Sequence, residues 1–183
     1  MIIYLIGFMG SGKSYLAKEL ATFSHSSYLD LDQVIEQHEG ISISEIFELH
    51  GESYFRRVES ELLKSITDQI LQPELNQEED AQSKTRYTFV ASGGGTPCFN
   101  DNINWMNEHG VTAWINPTWE VLVERLKKEK NKRPLIAALD LAGLKQFIQT
   151  RLKEREVYYS KAKVTIQDTH IPVEEIFKSI IHA

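Results

Sequence analysis

A single cysteine, Cys98, stands in 183 residues, so no disulfide can form within the chain, which fits a reducing, cytoplasmic setting. No apolar run approaches the roughly 20 residues that a membrane span needs, and the opening "MIIYLI" is too short for the apolar core of a secretion signal. Membrane association is therefore not expected. The six histidines show no metal-ligand spacing such as H-x-x-x-H. A basic excess is missing as well. The net charge of -6 argues against nucleic acid or an anionic membrane as partner, so any anion site has to be a local gathering of Lys and Arg inside an acidic shell. What is present, 42% hydrophobic and 25% charged residues, suits a soluble globular chain long enough for one domain and a small appended lid.

Strands alternate with helices along the chain. Residues 2–6, "IIYLI", have no polar residue on either face and read as a buried strand of a parallel sheet. "KSYLAKELATF" has the spacing of a helix packed on that strand, and "SYLDL" is a second strand ending in acidic residues. "SISEIFELHG" reads as a helix capped by Ser42 or Ser44 and stopped by Gly51, followed by the long amphipathic helix "ESYFRRVESELLKSITDQIL" with Phe55, Val58, Leu62 and Ile66 on one stripe. The polar, aperiodic segment 72–87 reads as an exposed connection. Beyond it come strands "TFVAS", "VTAWI" and "KVTI", with helices expected near 100–109, 119–130, 144–162 and 172–182 and an irregular "NKRPLIA" between two of them. This alternation predicts a doubly wound α/β fold around a parallel sheet.

Between the first strand and the first helix lies "GFMGSGKS", a full match to G-x-x-x-x-G-K-[ST] through Gly7, Gly12, Lys13 and Ser14. Glycines at such a turn let successive backbone N–H groups point inward at phosphate oxygens, and the helix N-terminus adds positive potential. Lys13 reaches the β and γ phosphates of a nucleoside triphosphate, and the Ser14 hydroxyl can bind Mg²⁺. The expected nucleotide contacts are Gly10, Ser11, Gly12, Lys13, Ser14 and Tyr15. The loop alone does not decide whether water, a protein or a small molecule accepts the phosphate.

Three features bear on the acceptor. In "YLDLDQ", Asp30 and Asp32 are two apart, so on a strand both carboxylates leave one face, at the carboxyl end where ligands of open α/β sheets bind. One can serve the water shell of a metal and the other an acceptor hydroxyl; a solvated loop or a helix cap for "QVIEQ" is the plainer alternative. In "FRRVESE", taking Phe55 as zero and about 100° per residue, Glu59 falls at about 40°, beside the apolar stripe, Arg56 at about 100°, flanking it, and Arg57 at about 200°, toward solvent. Glu59 is thus placed to fix the Arg56 guanidinium toward a cleft, or the two form a structural pair. Finally, Gly93, Gly94 and Gly95 in succession suit close approach of backbone to a ligand, or a flexible turn.

Taken in order, "GFMGSGKS", "LDLDQVIE", "FRRVESE", "GGG", "KRPLI" and "REVYYSKA" resemble the shikimate kinases over nearly the whole chain. The resemblance implies a P-loop, nucleoside-monophosphate-kinase-like fold with a five-stranded parallel sheet flanked by helices and a mobile lid, here around 127–138, and an acceptor-binding helical region around 33–71. It implies transfer of the ATP γ-phosphate to the 3-hydroxyl of shikimate in chorismate and aromatic amino-acid biosynthesis, with ATP and Mg²⁺ required and a cytoplasmic monomer expected. By the same resemblance Asp32 contacts the shikimate hydroxyls and Asp30 lies near Mg²⁺ through water. Arg56 and Arg155 bind the shikimate carboxylate, supported by Glu59, with Phe55 as an apolar wall and Gly93, Gly94 and Gly95 as lining backbone. Arg133 closes over the phosphates. Arg125 is the candidate on the adenine side, and the loop near Asp168 and Thr169 would lie by the adenine.

The chemistry agrees. A planar guanidinium can make two parallel hydrogen bonds to a carboxylate, and phosphoryl transfer through a loose transition state asks mainly for positioning and charge balance, here from Lys13, Mg²⁺ and Arg133. A kinase of another small hydroxy acid such as gluconate shares the loop and fold, and a nucleotide-holding module without transfer shares the loop. The paired arginines and the triple glycine favour shikimate over the first, and a complete set of acceptor residues argues against the second. Cys98, with no catalytic base beside it, reads as an ordinary thiol.

Overall fold

The computed structural model describes residues 1–72, 87–130, 133–168 and 171–182; most of the polar segment 72–87 therefore lies outside the described residues. Five strands form one sheet in the order β2-β3-β1-β4-β5, and every pairing is parallel. β1 (Ile2–Ile6) lies at its centre, with Ile2 opposite Thr88 of β3 (Thr88–Ala91) on one side and Gly110 of β4 (Gly110–Ile115) on the other. β2 (Ser27–Asp30) and β5 (Val164–Ile166) are the edges.

The alternation of side chains along β1 divides the core. Ile2, Tyr4 and Ile6 face a cluster with Leu31, Ile35, Val58, Leu63 and Met106, under α2 (Leu31–Glu39), α3 (Ile43–Leu71) and α4 (Asn102–His109). Ile3 and Leu5 face Leu16, Leu20, Phe89, Ile176 and Ile180, under α1 (Lys13–Phe23) and α8 (Val173–Ile181). All five β1 residues are buried, as a two-sided apolar run requires. The one hydroxyl among them, on Tyr4, is satisfied by Thr67 Oγ1 at 2.7 Å. A third, smaller cluster joins Phe8 of the glycine-rich loop to Leu122 and Leu126 of α5 (Trp119–Glu129), Ile136 of α6 (Pro134–Ala137), and Leu144 and Ile148 of α7 (Leu141–Tyr159).

Several local features depart from the sequence reading. The helix expected from Leu144 begins at Leu141, because the Asp140 carboxylate caps it by accepting the Gly143 N–H at 2.7 Å. Residues 134–137, expected to be irregular, form a helical turn with Pro134 in its first positions, where a missing N–H costs nothing. β2 stops at Asp30 rather than running on through Leu31, since Asp30 caps α2 and accepts the Asp32 N–H at 3.1 Å. The two helices expected on either side of Gly51 follow one another without a gap but are separated by a kink there, at φ 79° and ψ 174°, a conformation almost reserved for glycine. The first of them opens with a reciprocal cap between Ser42 and Glu45.

Candidate active site

At the carboxyl end of β1 the chain turns through the glycine-rich loop into α1. Gly7 (φ 139°) and Gly12 (φ 99°) hold backbone conformations that a side chain would strain, and a Cβ on Gly7 would also lie 2.5 Å from the Ile115 carbonyl oxygen. α1 starts with no side-chain cap and no acidic residue in its first turn, so its leading N–H groups face the cleft unclaimed by side chains. The Ser11 hydroxyl is buried and finds no hydrogen-bond partner among the described residues. Lys13, buried, donates to the Gly7 and Phe8 carbonyls at 2.9 and 3.0 Å. Burial, aided by Arg133 and Arg155 and opposed by Asp32 and Asp30, lowers its ammonium to a pKa of about 8. Arg125 braces the loop from α5, donating to the carbonyls of Ser11 at 2.9 Å and Gly10 at 3.3 Å. Uncapped N–H groups, an orphaned hydroxyl and a buried ammonium together fit a polyphosphate.

Two cavities open here. The first, about 740 Å³, is lined by residues 9–16 with Asp30, Asp32, Arg125, Lys128, Glu129 and Arg133. The second, about 430 Å³, is lined by Phe55, Arg56, Glu59, Gly95, Arg155 and Leu135 among others. They share Met9, Asp32, Gly93, Gly94 and Arg133. The residues expected from the sequence to touch phosphate, metal or acceptor, and Arg125, line one or both. Of the loop expected beside the adenine, Asp168 lines neither, and Thr169 lies outside the described residues.

The two aspartates converge for a reason other than the one expected. They do not leave one face of a strand, because Asp30 ends β2 and Asp32 is already in the first turn of α2. Asp30 takes the role of helix cap and still lines the phosphate-side cavity. Asp32 sits where the cavities meet. Burial first, and then the neighbouring Asp30 charge, push its pKa up to about 6 against the opposing pull of Lys13.

In the second cavity the angular reading of α3 holds. Arg57 points outward to Glu61, whereas Arg56 turns inward and donates from Nη1 to the fully buried Glu59 at 2.8 Å. Its Nε and Nη2 donate to Glu52 Oε1, both at 3.2 Å, and its guanidinium lies 4.9 Å from the Phe55 ring centre and 4.4 Å from that of Phe99. Arg155, from α7, donates to the Gly94 carbonyl at 3.1 Å, which also accepts from Tyr159. The three glycines are required by space rather than by dihedral angle. A Cβ on Gly93 would lie 2.9 Å from Glu59 Oε1, on Gly94 3.2 Å from the Met9 nitrogen, and on Gly95 2.5 Å from Arg56 Nη2. Burial raises the Cys98 thiol to a pKa of about 11, so it is protonated at neutral pH.

Sequence reasoning missed Thr96, whose buried hydroxyl donates to Glu59 Oε1 at 2.5 Å, and Asn102 and Ser60 behind it. Nothing in their spacing marks them. It also missed Phe47, which an outward-facing aromatic in a short helix could have signalled.

A central parallel sheet whose first strand feeds a phosphate-binding loop, with a second pocket joined to the first, defines a P-loop kinase of the nucleoside-monophosphate-kinase-like fold. The model of the family described as "Shikimate kinase" matches residues 9–72 and 77–183. The shikimate kinase of Flavobacterium johnsoniae is 34% identical over 180 residues, covering 98% of this chain and 96% of the relative. The crystal structure of shikimate kinase from Bacteroides thetaiotaomicron superposes with a TM-score of 0.81 at 28% identity, covering 97% of this chain and 94% of that one. Shikimate kinase from Acinetobacter baumannii, in complex with shikimate, gives a TM-score of 0.77 at 26% identity over 99% of this chain and 90% of that one. The chain belongs to the shikimate kinase family.

Proposed function

We propose that this protein transfers the γ-phosphate of ATP to the 3-hydroxyl of shikimate, giving shikimate 3-phosphate and ADP. The observation that carries the reading is the junction of the two cavities: one holds the phosphate loop, the other holds Arg56 and Arg155, and Asp32 and Arg133 line both. Backbone N–H groups of 10–14 and the Lys13 ammonium bind the phosphates, which requires Lys13 to give up its two loop carbonyls. Arg56 and Arg155 take the acceptor carboxylate, orienting the ring so that a hydroxyl meets Asp32. The raised pKa of Asp32 suits a group that accepts a proton from that hydroxyl near neutral pH. Arg133, paired with Glu129 at 2.8 Å, exchanges this partner for phosphate oxygens on closure of a lid around 127–138, of which residues 131 and 132 lie outside the described residues, while 33–71 forms the acceptor side.

Ser14, exposed in the cleft, and Asp30 offer the hard oxygen donors that Mg²⁺ prefers, Asp30 acting through water. Bound there, Mg²⁺ supplies charge neutralisation between phosphate oxygens. No described helix is long and apolar enough to cross a membrane, and the working form is taken as a cytoplasmic monomer.

The test is ADP release coupled to NADH oxidation, with shikimate, with gluconate and with no acceptor. Strong stimulation by shikimate is the expected result. Stimulation by gluconate alone moves the chain to another acceptor class, and equal rates in all three leave a nucleotide-hydrolysing module.

A further inference from the structure

The acceptor arginine is held by a bracket that the phosphoryl-transfer chemistry does not account for. Residues 96–102 touch α3 at four places around Arg56. The Thr96 hydroxyl donates to Glu59 Oε1 at 2.5 Å, the Asn100 amide donates to the Arg56 carbonyl at 2.8 Å, and the Phe99 ring covers the guanidinium. Ser60 donates to Asn102 Oδ1 at 2.7 Å, and the Asn102 amide in turn donates to the Thr96 carbonyl at 3.0 Å. Glu59, Thr96 and Asn102 are all fully buried.

A buried carboxylate needs a donor on each oxygen. Glu59 has Arg56 Nη1 on Oε2 and the Thr96 hydroxyl on Oε1. The second bond is short and charge-assisted, in the range of the strong class. Gly93 closes over this pair so tightly that an added methyl group would lie 2.9 Å from Glu59 Oε1 and 3.0 Å from Thr96 Oγ1. Exchanging the hydroxyl for a methyl of equal volume leaves no space for a replacement water. Glu59 then regains a second donor only by turning both oxygens to Arg56, which draws the guanidinium toward α3 and off the line of the cavity.

We propose that Thr96 is a positioning residue for acceptor selection: its hydroxyl occupies one oxygen of Glu59 and so sets Arg56 to receive a carboxylate. The inference rests on the proposed reading of the second cavity as the acceptor pocket. Asn102 and Ser60 stand behind it, fixing the Thr96 backbone.

The experiment compares shikimate with its methyl ester, the same ring without the charge, as acceptors for the wild type and for Thr96→Val. The expected result is a shikimate KM raised about tenfold, by loss of part of a charge-assisted bond. The ATP KM stays within about twofold, and the preference for acid over ester drops by the factor that the shikimate KM rises. Thr96→Ser, which keeps the hydroxyl, restores wild-type values. Thr96→Ala removes the same group but opens a space that admits a water to Glu59; if Thr96→Val fails to fold, it is read in the same direction with a smaller rise in the shikimate KM. An unchanged shikimate KM, or equal losses on acid and ester, overturns the proposal while the kinase reading stands. A wild type inactive on both acceptors overturns that reading and this one with it.

Discussion

Asp32 should be a residue whose loss makes the protein more stable and inactive at once. Its carboxylate is held against its preference: burial and the adjacent Asp30 charge move its pKa from 3.8 to about 6. A displacement of that size corresponds to about 3 kcal/mol against the charged form. Asp32→Asn keeps the shape and removes the charge. Three terms reduce the gain: Asp32 keeps some contact with the open cleft, the Lys13 ammonium loses a counter-charge, and the first turn of α2 loses a favourable acid worth a few tenths of a kcal/mol. About 1–2 kcal/mol remains, which in a domain of this size raises Tm by roughly 3–6 °C. The folded protein holds the Asp32 proton to higher pH than the unfolded chain does. The penalty is therefore absent below about pH 4, grows as pH rises, and is complete above about pH 6. Thermal melts of ligand-free wild type and Asp32→Asn at pH 4.5 and 7.5 measure it: the variant melts higher at pH 7.5, and the gap narrows at pH 4.5. A variant that melts lower at pH 7.5, or a gap indifferent to pH, refutes the reasoning. At the same time kcat falls on the order of 10²–10⁴, the contribution of a positioned general base.

Asp30→Asn keeps the cap on α2, because Asn caps a helix as well as Asp does. It should lose activity that excess Mg²⁺ partly restores, whereas Asp32→Asn should not respond; a Mg²⁺ titration of kcat on both variants checks this, and the opposite pattern exchanges the two roles. Arg133→Ala should lower kcat by about 10²-fold or more with the shikimate KM within about threefold, since a group that meets phosphate only on closure acts in the transition state; steady-state kinetics with an unchanged kcat and a raised shikimate KM would move Arg133 to the acceptor. Gly95→Ala should fold, because the atom its methyl meets is the end of a flexible side chain 2.5 Å away. That end is the Arg56 guanidinium, so calorimetric binding of shikimate should weaken at least about tenfold while ADP binding persists.

The parts of the site that could be read in advance are those whose function is carried by local backbone geometry. The glycine-rich loop needs its residues consecutive, and the Arg56–Glu59 pair follows from one helical period, so both were legible. The convergence of Asp30 and Asp32 was expected for the wrong reason: a capping bond bends the chain between them, and capping competes with strand continuation on terms that a sequence does not reveal. Gly93, Gly94 and Gly95 look like conformational glycines until their neighbours from α3, the first loop and α7 are in place. Thr96, Asn102 and Ser60 were invisible because a buried polar network is defined by contacts across 37 to 42 residues, with no period to betray it.

The small third core, built on Phe8, Leu122, Leu126, Ile136, Leu144 and Ile148, underlies more than packing. Arg125, Arg133 and Arg155 rise from the three helical pieces that this one apolar knot fastens to the phosphate loop. The cations are consequently not three independent parts but one assembly on a shared mount. A change at Ile136 or Ile148, neither of which lines a cavity, should therefore disturb all three cations together, so turnover depends on apolar positions outside both pockets.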